Sequence, residues 1–213
     1  MSIQTGSLSP MLESIQVPLL NDLCQSLRAT IDFAAARSNI QSIAITSPSP
    51  QEGKTTIIVQ LAIAYALAGK KVLIVDANLR RPNLHTLFNQ QRREGLADYL
   101  GLTIPLDDVI RPSGISNLDL VTSGSMVSHS TQLMSSDRLL DLFREASTRY
   151  DRVLADTSSM LELADAQLVA SACDGVLLVA EHSKTRRDQL QKSSKMIMQL
   201  DKPLLGTVLN KQR

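Results

Sequence analysis

A glycine, a lysine and a threonine stand in a row, Gly53-Lys54-Thr55, after one apolar segment and before a longer one. Backbone N–H groups in such a loop, and at the start of the helix that follows, can surround an anion that the helix dipole also favours. The Lys54 ammonium can reach the outer phosphates of a nucleotide, and the Thr55 hydroxyl can ligate Mg²⁺. The tripeptide therefore predicts a phosphate-binding loop.

Two aspartates strengthen this interpretation. The loop alone is weak support, because Pro48 stands where the pattern G-x-x-x-x-G-K-[ST] has its first glycine, and Gly-Lys-Thr also occurs at ordinary helix N-termini. Asp76 and Asp156 each end an apolar run, Val-Leu-Ile-Val-Asp and Val-Leu-Ala-Asp. Ligands of open α/β sheets bind beyond the carboxyl ends of the strands, so both carboxylates are expected beside Lys54. We interpret them as ligands of Mg²⁺ and water, with helix N-caps as the alternative.

Alternating strands and helices must position these residues. Short apolar runs predict strands at 40–46, 71–76, 118–122, 152–156, 175–180 and 204–209. Apolar residues at helical spacing predict helices at 18–39, 56–67, 96–100, 106–110, 137–150, 163–172 and 186–200. The Gly/Ser-rich stretch 123–131 predicts a mobile loop. The alternation predicts an α/β fold, a doubly wound and mostly parallel sheet with helices on both faces, similar to P-loop NTPases.

Composition limits the function classes. The 213 residues suit one domain, predicted at 18–213 after a flexible segment at 1–17. Lys and Arg number 22 against 21 for Asp and Glu, so nothing attracts nucleic acid in general. Cys24 and Cys173 lie far apart without a Cys-x-x-Cys pair, which suits reduced thiols. The longest apolar run is too short to span a bilayer. We expect a soluble cytoplasmic protein.

The residues after the first aspartate carry a resemblance to a known family. Asp76-Ala-Asn-Leu-Arg80-Arg81-Pro82 resembles the second Walker motif, Asp-x-Asp-x-Arg-x-Pro, of the bacterial tyrosine kinases of capsule and exopolysaccharide synthesis. The loop is similar to that family's Ser-x-x-Pro-Gly-Glu-Gly-Lys-Ser/Thr. Further matches are Gly95 to Leu100, Ser123-Gly124, Tyr150-Asp151 and Asp165-Ala166. The resemblance covers residues 18 to 210, and the chain is identified as a member of this family.

The resemblance implies an ATP-dependent protein-tyrosine kinase, or at least an ATPase, with ATP or ADP and Mg²⁺ as cofactors. The implied catalytic residues are Lys54, Asp76, Asp156 and Arg80. The implied Mg²⁺ ligands are Thr55, Asp76 and Asp156. The implied nucleotide-binding residues are Ser49, Pro50, Gln51, Glu52, Gly53, Lys54, Thr55, Thr56 and Asn210. The family also implies a partner, a membrane-embedded polysaccharide chain-length regulator, which would hold the protein at the inner face of the membrane.

Three departures from the family pattern lie in the predicted site. Gln51 replaces the glycine two residues before Gly53, at a position where the missing Cβ lets the backbone approach phosphate. Asn78 replaces the second acid of Asp-x-Asp and removes one negative charge beside the metal. Ser158-Ser159 stands where the family has Pro-Pro. The changes at Gln51 and Asn78 predict slow phosphoryl transfer.

Two further departures concern assembly and substrate. The interface motif Glu-x-x-Arg-x-x-Arg is replaced by Asp22, Gln25 and Arg28, which predicts a weak homo-oligomer. The family phosphorylates a tyrosine cluster at its own C-terminus, and this sequence has no such cluster. Its three tyrosines are Tyr65, Tyr99 and Tyr150.

Three functions therefore remain open. The first is a tyrosine kinase or ATPase of polysaccharide assembly. The second is a catalytically weakened nucleotide-binding regulator of the membrane partner. The third is a positioning ATPase of the chromosome- or septum-partitioning type. The third class carries a lysine in Lys-Gly-Gly-x-Gly-Lys-Thr where this chain has Ser49, and Arg-x-Pro after Asp76 favours the kinases.

Overall fold

The computed structural model describes residues 22–36, 39–101 and 104–211. The strands are β1 (Ser42–Thr46), β2 (Val72–Asp76), β3 (Ile110–Ile115), β4 (Leu118–Val121), β5 (Arg152–Asp156), β6 (Gly175–Glu181) and β7 (Leu204–Asn210). The helices are α1 (Asp22–Ala36), α2 (Lys54–Leu67), α3 (Leu84–Leu87), α4 (Leu96–Gly101), α5 (Leu106–Val109), α6 (Ser130–Met134), α7 (Asp137–Arg149), α8 (Ala164–Ala172) and α9 (Arg187–Gln199). The segment 1–17, predicted to be flexible, and the side chain of Asp22 lie outside the described residues.

Within the described ranges the strands form one seven-stranded sheet in the order β3-β4-β2-β5-β1-β6-β7. Every neighbouring pair is parallel except β3 and β4, which are antiparallel. The chain runs from β1 outwards to β2 and β4, returns to insert β5 beside β1, and then adds β6 and β7 on the other side. The predicted doubly wound, mostly parallel sheet is confirmed.

Each strand supplies side chains to two cores, one on each face of the sheet. In β1, Ile43 and Ile45 face the core covered by α1 and α2, whereas Ala44 faces the core covered by α4 to α9. In β2, Ile74 belongs to the first core and Val75 to the second. Successive side chains of a strand point to opposite faces, so a strand buried on both faces must be apolar throughout.

Helix α2 can be apolar on nearly all sides because α1 covers the surface that faces away from the sheet. Its residues from Ile57 to Ala66 are all buried. A helix this apolar is stable only when it is enclosed. Asp32 of α1 holds the layers together: it accepts hydrogen bonds from the Tyr65 hydroxyl (2.9 Å) and from Arg152 Nη2 (2.8 Å). Enclosure fixes the N-terminus of α2 at the end of β1.

Three elements differ from the sequence-based prediction. The predicted helix at 106–110 ends at Val109, and β3 follows it as an edge strand that contains Pro112 and Gly114. Proline and glycine are tolerated at a sheet edge, which is why this strand lacks the apolar pattern of the others. The short helices α3 and α6 were not predicted, and α6 begins at Ser130, within the stretch predicted to be a mobile loop.

All three tyrosines of the sequence are packed into the fold. Tyr65 is fully buried, and the Tyr150 hydroxyl donates to Asp119 Oδ2 (2.8 Å). Tyr99 is 5% exposed and lies under the Arg138 guanidinium, 4.4 Å from the ring centre. Within the described ranges, no helix is both long and apolar enough to cross a bilayer.

Candidate functional site

A cleft of about 670 Å³ opens where the carboxyl ends of β1, β2, β5 and β7 meet. Its walls come from the segment that follows each of these strands. The lining residues are Pro50, Gln51, Gly53, Lys54, Thr55, Thr56, Asn78, Arg80, Arg81, Pro82, Asn83, Ser158, Ser159, Glu162, Leu163 and Lys211. The volume is typical of a small-molecule site.

The loop between β1 and α2 presents backbone donors to this cleft. Gly53 is left-handed, with φ 92°, and a Cβ at this position would lie 2.0 Å from Asn210 Nδ2. The first hydrogen bond of α2 runs from the Ile57 N–H to the Gly53 carbonyl (3.0 Å). The N–H groups of Lys54, Thr55 and Thr56 precede that bond and have no partner within the helix. They are placed to bind an anion.

Lys54 brings a buried positive charge to the base of the loop. The residue is 7% exposed, and its ammonium donates to Ser47 Oγ (2.9 Å). Burial lowers the pKa of Lys54 below its usual range, while the negative charges of Asp156 and Glu52 act in the opposite direction. A phosphate beside this ammonium would replace a neutral hydroxyl partner with a charged one.

The two predicted aspartates lie side by side beneath the cleft. Asp76 and Asp156 are direct neighbours in the register between β2 and β5, and both are buried. Asp156 Oδ2 accepts the Thr55 hydroxyl (2.6 Å), whereas Asp156 Oδ1 has no hydrogen-bond partner. Burial raises the pKa of Asp156 despite the Thr55 hydrogen bond and the charge of Lys54.

Asp76 is satisfied by backbone amides. Its Oδ2 accepts the N–H groups of Asn83 (3.1 Å) and Leu84 (3.0 Å) at the start of α3, and its Oδ1 accepts the N–H of Asn78 (3.3 Å). Asp76 thus accepts hydrogen bonds from the N-terminus of α3, although the N-cap residue of that helix is Asn83. Burial, followed by the negative charge of Asp156, raises the pKa of Asp76, and the three backbone hydrogen bonds oppose that rise.

The donor set suits Mg²⁺. A magnesium ion prefers oxygen ligands and retains several waters, so it needs only one or two protein ligands beside phosphate. Asp156 Oδ1 is a buried carboxylate oxygen without a partner, and the Thr55 hydroxyl oxygen lies next to the same carboxylate. In the described part of the chain no three His, Cys, Asp or Glu side chains cluster as a metal site, so a cage made by protein ligands alone is not what these residues offer.

Two further residues singled out in the sequence line the cleft. Arg80 lines the cleft, but its Nε donates to Asp165 Oδ2 (3.2 Å) and its Nη2 to Thr131 Oγ1 (3.3 Å), so the guanidinium is held at the rim. Asn78 also lines the cleft, and its Oδ1 accepts the N–H of Arg81 (3.3 Å).

Ser49, Glu52 and Asn210 do not line the cleft, in contrast to the other loop residues predicted to contact nucleotide. Glu52 is buried and turns its carboxylate towards Ser49 N and Thr185 Oγ1. Asn210 donates to the Glu52 carbonyl (3.0 Å). The side chains of Glu52 and Asn210 therefore support the loop from the side away from the cleft.

The departures in the site have visible consequences. Gln51 adopts φ 61°, the left-handed conformation that a glycine would adopt without strain. The Ser158 hydroxyl is buried without a hydrogen-bond partner, while its carbonyl accepts the Thr46 hydroxyl (3.0 Å). At position 51 the side chain is therefore accommodated at a cost in backbone energy, and at position 158 a hydroxyl is left without a partner.

Sequence reasoning missed several residues at this edge. Lys211 and Glu162 line the cleft, and Thr185 contacts the loop from the segment after β6. The order and direction of the strands could have identified these residues. Every segment that directly follows a parallel strand reaches the same edge of the sheet, so the residues after β6 and β7 belonged among the candidates.

The central sheet and the loop that follows β1 define a P-loop NTPase fold. The protein family described as "AAA domain" matches residues 40–207. The tyrosine-protein kinase YwqD of Bacillus subtilis (strain 168) is 36% identical over 186 residues, which are 87% of this chain and 78% of that protein. The chain belongs to the bacterial tyrosine-protein kinases.

Solved structures agree with this assignment. The kinase domain of Escherichia coli tyrosine kinase ETK superposes with a TM-score of 0.85 at 31% identity, over 89% of this chain and 75% of that one. The chimerical protein CapA2B2 superposes with a TM-score of 0.83 at 35% identity, over 89% of this chain and 83% of that one. A third structure is the septum site-determining protein MinD of Pyrococcus horikoshii OT3 complexed with Mg-ADP. It superposes with a TM-score of 0.71 at 23% identity, over 79% of this chain and 69% of that one, which shows a common fold only.

The paired aspartates predict a particular pH dependence of stability. A carboxyl whose pKa is raised by folding stabilises the folded state below its ordinary pKa, and this stability is lost as the pH rises through the raised value. Burial in the folded protein raises the pKa of both Asp76 and Asp156. Relative to wild type, Asp76→Asn should therefore gain on the order of 1–3 kcal/mol in unfolding free energy between pH 5 and pH 8.

Urea denaturation of both proteins at several pH values, without nucleotide or Mg²⁺, measures this difference. Comparison with wild type removes the contributions of other titrating groups. A constant difference across this pH range would show that Asp76 is already fully ionised at pH 5, contrary to the account of the buried pair.

Proposed function

We propose that this protein binds Mg–ATP in the cleft and transfers the γ-phosphoryl group to a tyrosine of a protein substrate in capsule or exopolysaccharide synthesis. One observation carries the proposal. A buried lysine, a threonine hydroxyl and a buried carboxylate with a free oxygen, Lys54, Thr55 and Asp156, meet at a helix N-terminus that lines a cleft. Membership of the tyrosine kinase family supports the choice of reaction.

The positive groups of the cleft are proposed to bind the triphosphate. The first N–H groups of α2 would hold the phosphate next to the loop, and Lys54 would move its ammonium from Ser47 to the outer phosphates. In phosphoryl transfer the protein contributes mainly positioning and electrostatic stabilisation. The buried position of Lys54 strengthens its attraction to phosphate because water screens it poorly.

Thr55 and Asp156 are proposed to hold Mg²⁺, which supplies positive charge to the phosphates. Asp76 is proposed to have a different task. A carboxylate whose pKa is raised towards neutrality can accept the proton of an attacking hydroxyl group, and burial raises the pKa of Asp76 in this direction. We assign activation of the acceptor hydroxyl to Asp76, because Mg²⁺ would lower the pKa of Asp156. Arg80, held at the rim by Asp165, would add charge near the transferred group.

The acceptor is proposed to be a tyrosine other than Tyr65, Tyr99 and Tyr150. Two of these hydroxyls donate to aspartates, and the third ring is covered by Arg138. Phosphorylation of Tyr65 or Tyr99 would require local unfolding, and phosphorylation of Tyr150 would break its hydrogen bond to Asp119. The acceptor chain would enter from the side of β2 and β4, since the loop and Asn210 occupy the side of β1 and β7.

A membrane-embedded chain-length regulator is proposed as the partner, on the strength of the family resemblance. Assembly of the protein with itself is proposed to be weak. Arg28, at a position of the family's interface motif, donates to Gln25 (3.1 Å) and Asp32 (3.5 Å) within its own helix. A guanidinium engaged in this way has less capacity for the carboxylate of a neighbouring copy.

Replacement of Lys54 tests the nucleotide site. Lys54→Met keeps the length of the side chain and removes the ammonium, so it should lose a charge-assisted contact of about 1.5–3 kcal/mol, roughly 10- to 100-fold in affinity. Isothermal titration with Mg–ATP measures the affinity, and labelled ATP measures transfer to tyrosine. Lys70→Met, at an exposed position after α2, is the matched control and should bind like wild type. Equal affinity in Lys54→Met and the control would refute the site.

A weakened nucleotide-binding regulator is the second candidate, favoured by the neutral Asn78 in the cleft wall. An outer-shell carboxylate contributes about 10–100-fold to metal affinity or activity. Asn78→Asp should accordingly raise Mg²⁺-dependent ATP turnover about tenfold if transfer is limited by the missing charge. Steady-state hydrolysis at matched Mg²⁺ measures the change.

Asn83→Asp is the control for this experiment, because it adds the same charge to the same cleft wall at a residue outside the motif position. An equal rise in both variants would indicate a general effect of charge. No rise in Asn78→Asp would mean that residue 78 does not act on the metal, and would leave the regulator as the better explanation if transfer is absent as well.

A further inference from the structure

The carboxylate of Glu52 is buried directly behind the phosphate-binding loop. The residue is 0% exposed, and its two oxygens are used separately. Oε2 accepts the backbone N–H of Ser49 (3.2 Å), within the loop itself. Oε1 accepts the hydroxyl of Thr185 (2.6 Å), which lies 133 residues away, between β6 and α9. This second bond ties the loop to another segment of the sheet edge.

Thr185 is itself held in one orientation. Its Oγ1 accepts the backbone N–H of Glu181 (2.8 Å) at the end of β6, and its own N–H donates to the Glu181 carbonyl (3.0 Å). Because the oxygen already accepts one bond, the hydroxyl proton is free to point at Glu52. The Thr185 hydroxyl thus links Glu52 of the loop to the end of β6 through hydrogen bonds.

The loop needs such support because its conformation is not the one its sequence prefers. Gln51 sits at φ 61°, a left-handed conformation that a residue with a Cβ adopts only at a cost in energy. The backbone of Glu52 is held as well, by Asn210 Nδ2 on its carbonyl (3.0 Å). Glu52 is therefore fixed by its side chain and its backbone, immediately before Gly53.

We propose that Thr185 is a positioning residue for the nucleotide: through Glu52 it holds the loop in the shape that binds phosphate before the nucleotide arrives. Thr185 does not line the cleft and touches no reacting atom. The inference rests on the proposed function, since it concerns affinity for the same nucleotide. Preorganisation improves affinity because the loop loses less freedom on binding.

The test compares two conservative replacements of Thr185. Thr185→Val keeps the shape of the side chain and removes the hydroxyl, whereas Thr185→Ser keeps the hydroxyl. Loss of a hydrogen bond to a charged group should weaken Mg–ADP binding about tenfold in Thr185→Val, and Thr185→Ser should bind close to wild type. The matched control is Thr148→Val, whose hydroxyl donates only to the Glu145 carbonyl of its own helix (2.7 Å). Isothermal titration with Mg–ADP and the melting temperature without nucleotide are measured for all four proteins.

A purely structural role would lower the melting temperature of Thr185→Val and leave its Mg–ADP affinity unchanged, and that result overturns the inference while the proposed function stands. Failure of the wild type to bind Mg–ADP overturns both. Glu52→Gln provides a second route if Thr185→Val does not fold. It should weaken binding in the same direction, and the double variant, where it folds, should bind no more weakly than Glu52→Gln alone because Thr185 is proposed to act on the loop only through Glu52. Unchanged affinity in Glu52→Gln also overturns the inference.

Discussion

Two carboxylates buried side by side at the end of parallel strands are the constraint on which the rest of this site depends. Asp76 and Asp156 are neighbours in register, and each would be costly to ionise alone at that depth. Three backbone N–H groups offset part of the cost of ionising Asp76. The Thr55 hydroxyl and the Lys54 ammonium offset part of the cost of ionising Asp156. Asp156 Oδ1 has no hydrogen-bond partner, so this side of the carboxylate is not compensated by the protein.

The strand order explains how these groups meet although they are far apart in the sequence. Insertion of β5 between β1 and β2 sets Asp156 between the loop and Asp76. On the other side, β6 and β7 carry Thr185 and Asn210 to the back of the loop. The cleft therefore has two buried carboxyl groups beneath it, next to a loop that is hydrogen-bonded from one side. Its opposite wall, from Asn78 to Asn83, follows β2, on the side proposed above for entry of the acceptor chain.

Much of this arrangement was predictable because it follows from local patterns. Apolar runs predicted six of the strands, and the rule that ligands bind beyond strand ends brought Asp76 and Asp156 to Lys54. The edge strand β3 escaped prediction because Pro112 and Gly114 hide its pattern and only one neighbour stabilises it. Glu52 was predicted to contact nucleotide, yet its side chain faces Thr185, because a hydrogen bond between residues 133 positions apart leaves no trace in a local pattern. The roles of the site residues remain predictions.

The central claim is that the buried carboxylates and the adjacent loop form one site for a nucleotide and Mg²⁺. Titration of ADP into wild type and Asp156→Asn, each with and without Mg²⁺, tests it most directly. We predict that Mg²⁺ tightens ADP binding to wild type by about tenfold or more and has a much smaller effect on Asp156→Asn, which loses the charge of the proposed ligand. An equal effect of Mg²⁺ on the two proteins, or none on wild type, would contradict the account.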